Sequence, residues 1–209
     1  MRPVVPLLIL ASVALSGCVS LLPKAAPAQL YRFGEAQPTT PPASPSQARF
    51  AVQMLPIDFD SAAAGDLILT VSGDEAAYIK GARWITTASS EFEGAVVTAF
   101  AADQGAARLM ARGEAIRPDF QLKLSVRHFE ARYAHGRTAS PEIVVEVYAA
   151  LSRAEDRSLV GERTFTASIP ASDNRMGAIA RAFNQAVGQV LGEVVKWVDA
   201  AGSGYARPA

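Results

Sequence analysis

The feature that most limits the fold is a long amphipathic run near the carboxy end. Met176, Ile179, Ala180, Phe183, Val187, Val190, Leu191, Val194 and Val198 recur at helical spacing, with Arg181, Gln185, Gln189, Glu193 and Lys196 among the remaining positions. Residues spaced this way share one side of an α-helix. The spacing predicts a single helix over 176–198, and its apolar stripe needs a surface to cover it. The polar positions interrupt the apolar run, so this helix is built for packing and not for spanning a bilayer. Ser172 or Asp173 is placed to cap its first turn.

The surface for that stripe is supplied upstream. Phe120, Leu122, Leu124 and Val126 alternate with Gln121, Lys123, Ser125 and Arg127, the pattern of a strand with one buried face. Phe129 falls on the other parity, which marks either a β-bulge or a second contact. A second long strand is expected over 143–151 and a third over 159–169. A polar turn over 152–158 joins them, and Pro170 stops the third. Three successive strands joined by turns predict an antiparallel meander.

The amino-terminal half is more broken. Leu30-Tyr31-Arg32-Phe33 reads as a short strand. Residues 37–47 are dense in Pro, Thr and Ser and predict an extended loop. Phe50 to Leu55 is a strand that ends at Pro56. Leu67–Val71 and Ala77–Lys80, separated by Ser72-Gly73-Asp74-Glu75, suggest a hairpin, although runs this short do not separate helix from strand. A helix begins near Ser90, which has capping-box spacing to Glu93, and Phe92, Val96, Ala99 and Phe100 share one of its faces. The expected fold class is α+β, a mostly antiparallel sheet with two helices packed on one face.

The first residues carry a different signal. Arg2 is followed by an apolar run over Val4–Leu15, then by Leu15-Ser16-Gly17-Cys18. Positive charge, short apolar core and small-residue exit is the export pattern, and the run is too short to cross a bilayer. The four-residue exit resembles the bacterial lipobox, in which the cysteine thiol takes up a lipid. Cys18 is the single cysteine of 209 residues. An exported protein meets an oxidising compartment, where a lone thiol calls for an explanation, and lipidation supplies one. The expected organisation is a signal peptide over 1–17, a lipidated tether over 18–29, a folded domain over 30–199 and a loose tail over 200–209.

Formal charge balances at +0 with no basic run, which argues against nucleic acid as a partner. Chemistry is sparse. His128 lies in a strand and His135 in the loop that follows, and neither belongs to a metal-binding pattern such as H-E-x-x-H. Asp58 and Asp60, spaced by two, would share a strand face as an acid/base or metal pair, but after Pro56 a polar loop is the expected setting. Ser72-Gly73-Asp74 has the same status. No nucleophile elbow or phosphate-binding glycine loop occurs. Tyr78, Trp84, Phe92 and Phe100 could line a lipid groove, but burial in the core is the commoner use of such residues. The expectation is a protein that is not an enzyme and needs no metal or other cofactor.

The order of parts resembles the ABC-type transport auxiliary lipoprotein family, lipoprotein partners of mammalian-cell-entry (MCE) lipid transport systems. The likeness rests on the lipobox at Cys18, the Tyr31-Arg32-Phe33 strand, the Leu55-Pro56 strand end, the Tyr78…Trp84 segment before the first helix, the meander and the long last helix. Thr70-Val71 and Ile85-Thr86-Thr87 stand where members often carry a basic residue and a proline. The resemblance implies an accessory component for lipid or hydrophobic-solute traffic. Its implied partners are an MCE-domain substrate-binding protein, an ABC permease and an ATPase, which would supply the energy. Self-association is compatible with it. The implied location is the cell envelope, facing the periplasm, at the outer membrane because Val19 and not Asp follows the cysteine. A rival reading is an envelope assembly lipoprotein bracing an outer-membrane complex, and a third is a secreted hydrolase. From Val19 to Gln29 an extended chain reaches at most about 35 Å, enough to dock beside a membrane but not to cross a wide periplasm.

Overall fold

The fold is organised around one long strand, β7 (Phe120–Arg132). The computed structural model describes residues 27–34 and 49–205; the expected signal peptide, Cys18 and the loop of 37–47 lie outside them. Along β7, Phe120, Leu122, Leu124 and Val126 are buried and the residues between them are not. The register then shifts between Val126 and His128, a β-bulge that reverses the parity and turns Phe129 and Ala131 inward.

β7 pairs antiparallel with β8 (Glu142–Arg153), and β8 pairs antiparallel with β9 (Leu159–Pro170). This is the expected meander. The other edge of β7 departs from expectation. Three short strands join it in parallel, one after another: β2 (Phe50–Met54) at Phe120–Leu122, β3 (Asp58–Phe59) at Ser125–Val126, and β4 (Leu67–Ser72) at Ala131–Arg132. β5 (Glu75–Trp84) forms a hairpin with β4, β1 (Gln29–Tyr31) lies parallel to β5, and β6 (Ala107–Leu109) lies parallel to β2. The nine strands make one sheet, antiparallel along its long pairings and parallel along its short ones. Strands of two to six residues carry too little alternation to reveal direction, so parallel pairing was not legible. The β4–β5 turn uses Gly73 at φ +59°, a left-handed position that suits glycine at the start of a tight hairpin turn.

The first helix, α1, spans Ala88–Ala102. It begins earlier than the Ser90–Glu93 spacing implied. Thr87 is its cap: its Oγ1 accepts from the Ser90 backbone N–H at 3.3 Å. Glu93 instead pairs with Arg112. Glu91 does the bridging expected of a first-turn acid, accepting from the backbone N–H of Thr86 and, at 2.9 Å, of Phe33. The second helix, α2, spans Met176–Ser203 and passes the boundary drawn at 199. Its first turn has no side-chain cap. Asp173 accepts from the Arg175 N–H at 2.7 Å, in a turn that precedes the helix. The extension past 199 is fixed by Gly202, which is buried beneath Phe50; a Cβ there would lie 2.4 Å from the ring.

α2 packs on β8 and β9 and against α1, which also touches β6. Its apolar stripe is the predicted one: Ile179, Phe183, Val187, Val190, Leu191, Val194 and Val198 are all buried. Phe129 is the hub of an aromatic cluster, with its ring centroid 4.9 Å from those of Phe33 and Phe183 and 5.4 Å from Phe59. Trp84 meets Phe33 and Phe183 edge-on at 4.9 and 5.1 Å. The segment after β1 is therefore part of the core. It is pinned from both helices, because the Gly34 N–H donates to Asn184 Oδ1 at 2.8 Å while Phe33 is held by Glu91. Gly34, at φ +75°, sits so close to α1 that a Cβ would lie 2.5 Å from that of Ala95.

Candidate functional site

Cys18, the one site residue singled out in the sequence, lies outside the described residues. The polar candidates are described, and the fold does not bring them together as a reactive set. Asp58 is in β3, beside Ser125 of β7, and not in a loop. Its carboxylate takes an ion pair from Lys123 at 2.8 Å, which holds its pKa below the ordinary value. Asp60 turns to its own backbone and accepts from the Ala62 N–H at 3.1 Å. His128 is half exposed on β7, opposite Glu146 of β8, and His135 is exposed in the turn after β7. Among the described residues no three His, Cys, Asp or Glu side chains are grouped to hold a metal ion.

A residue not singled out in the sequence is the buried charge of the sheet. Glu130 is 5% exposed and sits between His128 and Arg132 on the strand positions that alternate with the core. Arg132 donates Nη2 and Nε to its Oε1 at 2.6 and 3.1 Å, and His128 Nδ1 lies 3.7 Å from Oε2. Such pairing is what a buried carboxylate needs, and it leaves Glu130 committed to structure. The available signal was the Glu-x-Arg spacing just after the bulge, which places both on one strand face.

Of the four aromatics considered for a lipid groove, Trp84, Phe92 and Phe100 are buried core residues. Tyr78 is 46% exposed, and its hydroxyl donates to the Ala62 carbonyl at 3.0 Å. The groove that does exist is different. It runs between α1 and α2, has a volume of about 480 Å³ and a floor of small residues that includes Ala95, Ala99, Gly188 and Gly192.

At one end of this groove two carboxylates meet. Asp103 follows α1, and Asp199 is in the last turns of α2. Both aim at Gly105, where a Cβ would fall 2.4 Å from Asp103 Oδ2 and 1.9 Å from Asp199 Oδ2. Asp103 accepts from the Gly105 N–H at 2.6 Å and Asp199 from the Ala107 N–H at 2.7 Å. Burial raises the Asp199 pKa, the adjacent Asp103 carboxyl raises it further, and the backbone donors oppose them. The folded state thus holds this proton more firmly than the unfolded chain. Stability falls as pH rises from about the ordinary value of 3.8 through the raised one, and that loss persists at neutral pH. Asn at this position keeps an acceptor for Ala107 and removes the charge. Asp199→Asn is expected to melt at a higher temperature than the parent at pH 7, with the gap narrowing as the pH falls toward 4. Parallel melting curves from pH 4 to 7 would contradict the assignment.

The described chain is thus an α+β domain built on a mixed sheet, with Asp58 paired to Lys123 and Glu130 to Arg132. Among the described residues no helix is long and apolar enough to cross a membrane. The profile of the ABC-type transport auxiliary lipoprotein component family matches residues 31–195, and the chain belongs to that family. No curated protein sequence matches it. Among solved structures it is similar to a protein of Xanthomonas campestris, at 29% identity and a TM-score of 0.72, covering 85% of this chain and 98% of that one. A hypothetical protein of Chlamydia trachomatis shares the fold, with a TM-score of 0.54 at 11% identity over 74% of this chain and 98% of that one. Membership assigns the chain to the auxiliary lipoproteins of ABC-type transport and suggests the cell envelope as its place.

Proposed function

We propose that this protein is a lipid-anchored, periplasm-facing component of an MCE-type system that moves lipid or another hydrophobic solute. It acts by docking and not by catalysis. The observation that carries the reading is the family match across nearly the whole folded domain. The lipobox at Cys18 supports the anchor. The pairing of Asp58 with Lys123 and of Glu130 with Arg132 supports a role without bond chemistry. The partners in this reading are an MCE-domain substrate-binding protein, a permease and an ATPase, and the membrane is the outer one. Both helices cover one face of the sheet in this reading, which leaves the opposite face and the strand edges for partners. The alternation of buried and open residues along β7 and β8 supports that division.

A pull-down of the native lipoprotein from crosslinked membranes tests the proposal. Co-purification of an MCE-domain protein or its permease is the expected result. Recovery of the lipoprotein alone, with a hydrolytic activity that vanishes in His128→Ala or Asp58→Ala, would replace it with an enzyme.

A further inference from the structure

The edge formed by β1 and the end of β5 carries apolar side chains that the core does not use. In the parallel β1–β5 pair, Gln29, Tyr31 and Phe33 fall on the parity of Ala82 and Trp84, which face the core. Leu30 falls on the opposite parity, beside Arg83, and is 59% exposed. Ile85 follows Arg83 by two residues, is 46% exposed, and its backbone N–H donates to the Tyr31 carbonyl at 2.8 Å. Leu30 and Ile85 therefore project from neighbouring chain segments on the side away from the aromatic cluster. Arg32 shares the parity of Leu30, and Arg83 lies between the two apolar residues, paired with Asp66 at 2.8 Å. The other edge of β1 has no strand partner among the described residues.

We propose that this β1–β5 edge rests on the lipid surface, with Leu30 and Ile85 entering the headgroup layer and Arg32 and Arg83 at the level of its phosphates. The inference rests on Cys18 being the lipid anchor. The length of chain before β1 selects the occupant: from Cys18 to Gln29 an extended backbone reaches at most about 40 Å, so β1, the first described strand, is the element the anchor ties to the neighbourhood of the bilayer. Leu159 on β9 and Tyr205 after α2 are exposed too, but they belong to elements that follow β5 along the chain and do not adjoin the tethered strand β1. A tethered surface meets its target at high effective concentration, so two apolar side chains suffice to orient the domain without anchoring it unaided. Arginines suit such a rim because their stems lie along apolar surface while the guanidinium reaches anionic groups.

The test uses the full lipoprotein in vesicles of phosphatidylethanolamine and phosphatidylglycerol. Cys18 is the single cysteine, so once its thiol carries lipid, an introduced cysteine is the one reactive thiol. Leu30→Cys, Ile85→Cys, Leu159→Cys and Tyr205→Cys are each labelled with an environment-sensitive fluorophore. Leu159 is as exposed as Leu30, at 59%, and is the matched control. The labels at 30 and 85 are expected to shift to shorter wavelength and to lose emission when the vesicles carry brominated acyl chains, while those at 159 and 205 do neither. Labels at 30 and 85 that behave like the controls, on protein that floats with the vesicles and takes up one label, overturn the proposal and leave the anchor standing. Protein that takes up a second label at Cys18 and does not float overturns the anchor and the proposal together.

Discussion

Phe183→Ala is expected to lower the unfolding free energy by about 3–5 kcal/mol, the range for a fully buried phenylalanine truncated to alanine. Phe183 is 0% exposed, stands on the face of α2 that covers the sheet, and touches both Trp84 and Phe129. Its loss leaves a cavity at the centre of a cluster drawn from the segment after β1 and from β3, β5, β7, α1 and α2, where relaxation on one side opens space on another. A domain of this size shifts its melting temperature by roughly 2–4 °C per kcal/mol, so a fall of about 10 °C is the expected scale. Gln189 lies on the same helix and faces solvent, so Gln189→Ala should cost little. Urea melts of both variants check the facing of α2. Equal losses at the two positions would show that the helix is not seated as described.

The facing of α2 was legible because nine apolar residues over more than twenty positions admit one helical face, and helical spacing does not depend on the partner. The meander was legible for the same reason in period two. Even the bulge could be read, since Phe129 breaks parity with Val126 and the fold then uses it as the hub of its aromatic cluster. The parallel strands were not legible. β3 is two residues long and gains its place from Ser125 and Val126, which are far away in sequence. The start of α2 at Met176 was legible, but the start of α1 and the cap of α2 were not, because several hydroxyl and carboxyl residues stand together ahead of each helix. Thr87, Ser89 and Ser90 all offer a capping oxygen, and packing of Ala88 and Phe92 selects Thr87. The meeting of Asp103 with Asp199 was invisible for a similar reason, since nothing local in either segment points to the other.

Cys18→Ser is expected to convert a protein recovered wholly with membranes into one recovered in the soluble periplasmic fraction. The described domain offers little to compensate. None of its helices is long and apolar enough to cross a bilayer, and the apolar groups at the β1–β5 edge, Leu30 and Ile85, are two side chains. Each buried methylene of a lipid chain adds about 0.8 kcal/mol, so acyl chains of ordinary length outweigh those two residues, and stable attachment requires more than one chain or a second signal. The substituted protein should fail to take up a fatty-acid analogue, keep its melting temperature, and leave the membrane pellet. Unchanged stability separates loss of the anchor from loss of the fold, because Cys18 precedes the first strand. In the parent, sedimentation of envelope fractions should place the lipoprotein with outer-membrane markers, as Val19 after the cysteine implies. Recovery with inner-membrane markers would move the docking partner to that side of the periplasm. Uptake of the analogue by the Cys18→Ser protein, with continued recovery in the pellet, would show that the attachment lies elsewhere in the chain.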